Sequence, residues 1–70
     1  MKIVVDAFWD EAAKVWVASA RDAEIGLVTE ADTIEQLQRK LALMVPDLLG
    51  DDRAPFQVEL VTRSIVHIAA

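Results

Sequence analysis

The sequence predicts a small two-layer α+β domain with the element order β-β-β-α-β. Three observations predict it. Residues 2–9 and 14–20 are β-branched and aromatic stretches on either side of a short acidic loop. Ile34, Leu37, Leu41, Met44 and Leu48 recur at the spacing of one helix face. A last stretch, residues 56–68, alternates apolar and polar side chains in its first half.

The first two stretches read as a hairpin joined by Asp10-Glu11-Ala12-Ala13, with Asp10 suited to the first position of a type I turn. Closing it with Trp9 opposite Lys14 sets Ala7 against Trp16. Ile3, Val5, Ala7 and Trp9 then share a face with Trp16, Ala18 and Ala20. Val4, Asp6 and Phe8 share the other with Val15, Val17 and Ser19. Both faces are largely apolar, and a two-layer domain covers only one. The second face is therefore under-covered or meets a partner.

Residues 21–26 read as a loop and 27–31 as a short third strand. Helix start signals follow: Thr33 with Gln36, or Asp32 with Glu35 one residue earlier, each match a capping box. Glu35, Gln36, Arg39 and Lys40 fall on the wet side, with Leu43 near them. Pro46 removes a backbone donor and disfavours helical geometry at Val45, which predicts a stop or kink there and a further turn over 46–49. Gly50 to Asp52 ends the helix, and 51–55 is a loop. The final strand is expected to pair in parallel with the first after a right-handed crossover, giving the sheet order 3-2-1-4. Its thirteen residues outrun an eight-residue neighbour at about 3.3 Å each. The overhang, residues 64–70, is then a bare apolar edge of the kind folded proteins protect.

Length and composition bound the rest. Seventy residues allow one domain, 1–70. No apolar run nears the ~20 residues of a membrane span, and the strand pattern starting at Lys2 leaves no signal peptide. Absence of Cys removes disulfides and thiolate metal sites, and fits a cytoplasmic location. A formal charge of −5 argues against direct nucleic-acid binding and leaves a basic protein partner open.

Chemistry-bearing constellations are scarce. His67 is the single His, and it sits in an apolar tail. Asp10-Glu11 and Asp51-Asp52 fall where turns favour Asp. Ser19 and Ser64 lack an inferable base, and no Gly-rich phosphate loop exists. Catalytic residues, metal ligands and cofactors are accordingly expected to be absent. A two-metal nuclease centre needs clustered carboxylates, and the strand registers do not bring Asp6, Glu30 and Glu59 together. The residues chosen for partner binding are Trp9, Trp16, Glu35 and Leu43. The two Trp flank the hairpin loop, where packing at the sheet end is the simpler role and an interface anchor the functional one. Ile65, Val66 and Ile68 are chosen for self-association.

The stretch Phe8 to Ala18, with Ile25-Gly26-Leu27-Val28-Thr29-Glu30-Ala31-Asp32-Thr33 and the ending Val45-Pro46-Asp47-Leu48-Leu49, resembles the small HicB-like antitoxin domains. It is most like a branch of unknown function. The similarity runs over essentially the whole chain, with Glu30-Ala31-Asp32-Thr33 as its most specific motif. Ala31 stands where the family has Gly, and no DNA-binding module follows within the 70 residues, which sets operator binding aside. The resemblance implies a partial ribonuclease-H-like fold without the acidic active site. It further implies a partner: a small basic HicA-like toxin that cleaves mRNA. Self-association as a homodimer or higher oligomer is also implied. Two functional expectations result: an antitoxin that sequesters such a toxin, or an orphan self-associating domain with no toxin.

Overall fold

The computed structural model describes residues 1–50, 52 and 54–69. The chain runs β1 (Lys2–Asp10), β2 (Val15–Ala20), a 3-10 turn (Ala23–Ile25), β3 (Val28–Ala31), α1 (Ile34–Leu49) and β4 (Gln57–Arg63). One mixed sheet forms in the order β3-β2-β1-β4, with β4 parallel to β1 and the other neighbours antiparallel. The predicted α+β order is the observed one. Asp51, Arg53 and Ala70, which belong to the acidic turn pair, the loop after the helix and the tail end read above, lie outside the described residues.

The hairpin differs in register from the expectation. Trp9 stands opposite Trp16 and Asp10 opposite Val15, so the loop is Glu11 to Lys14. Asp10 stays in the strand while its carboxylate accepts the backbone N–H groups of Ala12 and Ala13, at 3.1 and 3.2 Å. Lys14 closes the turn at φ 59°, donating its N–H to the Asp10 carbonyl at 2.7 Å. A slip of two residues keeps every side chain on its face, because the strand period is two. The face assignment therefore survives the register change. Gly26 ends the 3-10 turn at φ 69°, a left-handed position that costs a side-chain-bearing residue strain even though a Cβ there would meet nothing within 4 Å.

Thr33 caps α1, accepting the Gln36 N–H at 3.1 Å, while the Gln36 side chain accepts the Asp32 N–H at 3.3 Å. The predicted stop at Pro46 does not occur: α1 is one helix to Leu49, and the turn 46–49 belongs to it. Its buried side chains are Leu37, Leu41 and Val45, with Leu49 packed beside them. Burying Val45 and docking Leu49 offsets the missing N–H of Pro46. Leu48, counted on the apolar stripe, is instead half exposed.

The helix lies over β2 and β3. The core beneath it comprises Ile3, Val5, Ala7, Ala18, Leu27, Ala31, Leu37, Leu41 and Val45. Ala18 and Ala31 line the two strands the helix crosses, where small side chains let the layers approach. The last strand is shorter than expected, because its pairing with β1 stops at Phe8 opposite Arg63. Residues 64–69 continue without a strand partner, and Ile65, Val66 and Ile68 are 82%, 77% and 86% exposed. The Cα radius of gyration, 13.4 Å, exceeds the roughly 11 Å of a compact chain this long. No helix among the described residues is long and apolar enough to cross a membrane.

Candidate functional site: the uncovered sheet face and the tail

The face turned away from α1 carries Val4, Asp6 and Phe8 from β1, Val15, Val17 and Ser19 from β2, and Val61 and Arg63 from β4. Val28 and Glu30 of β3 extend it. Phe8 and Val28 are about half and two-thirds exposed, at 49% and 66%. Among the described residues no second layer covers them. Asp6 sits in the centre of this apolar field. Arg21 holds it with two bonds, Nη2 to Oδ1 at 2.7 Å and Nε to Oδ2 at 3.1 Å, and Arg63 Nη2 lies 3.8 Å away. The Arg21 hydrogen bonds, more than its charge, hold the Asp6 carboxyl below the usual carboxylate range, and Asp6 in turn raises Arg21. Lys2 and Glu59 pair at 3.3 Å on the rim.

The sequence-chosen residues fall in three places. Trp9 and Trp16 lie on the helix side of the sheet at the hairpin end, half buried and edge to face, with centroids 5.6 Å apart. The Trp9 indole N–H donates to Glu11 at 2.7 Å. Lys14 also bonds Glu11, and these donors hold the Glu11 carboxyl low, Lys14 foremost. Glu35 and Leu43 stand exposed on the outer surface of α1, Leu43 at 77%. Ile65, Val66 and Ile68 project in the tail. Of these residues the structure brings Trp9 and Ile65 together: a cleft of about 640 Å³ is lined by Phe8, Trp9, Glu11, Arg63, Ile65 and His67. Ser64 lines it too, but no hydrogen bond links it to His67. A serine nucleophile requires such a base within reach. Asp6, Glu30 and Glu59 share the open face, yet Asp6 and Glu59 are committed to cations. No group of three or more His, Asp or Glu placed to hold a metal occurs among the described residues.

The open face is legible in the sequence as an apolar alternation, but the alternation does not single out Phe8, Val17 and Val28. Only the side of the sheet that α1 covers identifies Phe8 and Val28 as exposed and Val17 as part of the same open face.

Among curated proteins no match was found. The crystal structure of the hypothetical protein TTHA1013 from the extremely thermophilic bacterium Thermus thermophilus is similar, at 40% identity over all of both chains and a TM-score of 0.68. The family described as a domain of unknown function, DUF1902, matches residues 2–67. On that match, the chain belongs to the DUF1902 family.

Proposed function

We propose that the chain is a non-catalytic protein-binding domain of antitoxin type, whose partner is a small basic protein resembling the HicA toxins. The observation that carries this reading is the uncovered sheet face, a field of valines around Phe8 with a neutralised Asp6–Arg21 pair at its centre. Contiguous apolar surface of this kind marks interaction sites on soluble domains. The acidic surplus of −5 speeds encounter with a cationic partner, and apolar burial then holds it. Likeness to the HicB-like domains over Glu30-Ala31-Asp32-Thr33 supports the choice of partner. Glu35 and Leu43 on α1 offer a second contact area, and Trp9 a third through the cleft beside Phe8. Lack of Cys is compatible with the cytoplasm, where we place the protein.

The test is capture of a small basic protein in fixed stoichiometry by the tagged chain, followed by co-expression. Phe8→Lys is expected to cut recovery at least tenfold without loss of the folded signal. Growth arrest by the captured protein should be relieved by the wild-type chain. Arrest that persists in its presence overturns the antitoxin reading.

A second reading, an orphan self-associating domain, is favoured by the exposure of Ile65, Val66 and Ile68. It requires more than one chain per particle in light scattering at micromolar concentration. A monomer there removes it.

A further inference from the structure

We infer that β4 and its tail form an antiparallel strand pair with a second copy of the chain, Arg63 meeting Arg63 on the two-fold axis, so that two sheets join into one of eight strands. This interface rests on the self-association reading and names its surface and register.

Backbone direction supplies the first argument. The Gln57 N–H donates to the Met1 carbonyl at 2.9 Å, so Gln57 faces β1. Residues of a parallel ladder alternate in the side to which their N–H and C=O point. Gln57, Glu59, Val61 and Arg63 therefore spend their groups on β1, and Val58, Leu60 and Thr62 present theirs outward. The opposite edge of β1 agrees, since the Val4 carbonyl accepts from Arg21, just past the end of β2, at 2.9 Å. A row of unpaired donors and acceptors on an outer strand is a template for another strand.

Side-chain register supplies the second. With Arg63 on the axis, Val61 meets Ile65 of the second copy, Leu60 meets Val66, and Val58 meets Ile68. Thr62 meets Ser64, and Gln57 meets Ala69. Each of the three exposed tail residues thus lands on an apolar residue of β4, and the strand of one copy is matched along its whole length. A register centred on Val61 would set Glu59 opposite Arg63, an attractive pair. It would also place Ile65 against Gln57 and put Val66 and Ile68 beside Phe56 and Ala54, beyond the strand. Like charges meet on the proposed axis; Asp6, 3.8 Å from each Arg63 and already paired with Arg21, relieves part of that repulsion.

Helix placement supplies the third. Because α1 lies over β2 and β3, a groove remains between it and β4, lined by Gln38, Leu41, Ala42, Val58 and Leu60. A strand continuing the sheet past β4 carries Val66 and Ile68 on this same side, against the residues that line the groove.

The chain has no natural Cys, so engineered thiols report alone. Wild type is expected to scatter at twice the 7.7 kDa chain mass, and Val66→Lys and Ile68→Lys to weaken association at least tenfold with unchanged circular dichroism. Arg63 forms a non-hydrogen-bonded pair, whose Cα atoms stand about 4.5 Å apart, within disulfide reach. Mild oxidation of Arg63→Cys should therefore give a covalent dimer. In the same register the two Val61 positions lie about 13 Å apart, and Val61→Cys should stay reduced. A dimer indifferent to Val66→Lys, or cross-linked through Val61→Cys instead, overturns this interface while leaving self-association standing. A monomer at every concentration overturns both. Neither result bears on capture through Phe8, which uses the open face.

Discussion

Trp9 and Trp16 stand directly opposite one another across β1 and β2, with their rings edge to face at 63° and centroids 5.6 Å apart. Such aromatic pairs contribute beyond their buried area. A double-mutant cycle of Trp9→Ala and Trp16→Ala is expected to show about 0.5–1.5 kcal/mol of coupling in urea unfolding. Additive losses would mean that the rings pack independently.

Leu37 and Leu43 belong to the same helix and differ in exposure from 0% to 77%. Leu37→Ala should cost about 2–5 kcal/mol, through lost transfer energy and an unfilled cavity. Leu43→Ala should stay within about 0.5 kcal/mol. Equal midpoints in denaturant would contradict the placement of α1.

Pro46 leaves the Ala42 carbonyl without its helical donor. Replacement by Ala restores that bond, against a loss of about 0.4–1 kcal/mol from a more flexible unfolded chain. A net gain of about 2–2.6 kcal/mol is expected, given the ~3 kcal/mol helix penalty of proline. Thermal melting that shows Pro46→Ala to be less stable would sink this account.

Asp6 is held below its unfolded pKa by Arg21. A depressed carboxyl stabilises the fold fully above the unfolded value and loses that contribution as pH falls through the folded value. Stability should therefore drop on acidification below about pH 4, and the drop should be shallower in Asp6→Asn. Glu11, depressed by Lys14 and Trp9, adds a second term of the same sign, so the variant slope is reduced rather than flat. Parallel pH profiles for the two proteins would remove the role given to the Asp6–Arg21 pair.

Alternation of side chains makes the faces of β1 and β2 legible, and a wrong hairpin register leaves them intact because it slips by two. What hides the true register is Lys14 at φ 59°, a left-handed residue with no glycine or asparagine to announce it. Pro46 misleads for a different reason: local propensity loses to the packing of Val45 and Leu49. The open face is visible as apolar, but both faces are, and which one α1 covers depends on where a helix some thirty residues downstream settles. The ion pair of Asp6 with Arg21 spans fifteen residues and follows only from the strand pairing that brings β1 beside the end of β2.

The alternating direction of the β4 backbone has a consequence for how this strand exchanges its amide hydrogens with solvent. The amides of Gln57, Glu59, Val61 and Arg63 are tied to the central strand, and should exchange only when the sheet opens. Those of Val58, Leu60 and Thr62 face water in a single chain, and should exchange early. A strand with every second amide labelled is thus the signature of an isolated copy. Loss of that every-other pattern as concentration rises would time the arrival of a neighbour, one hydrogen at a time.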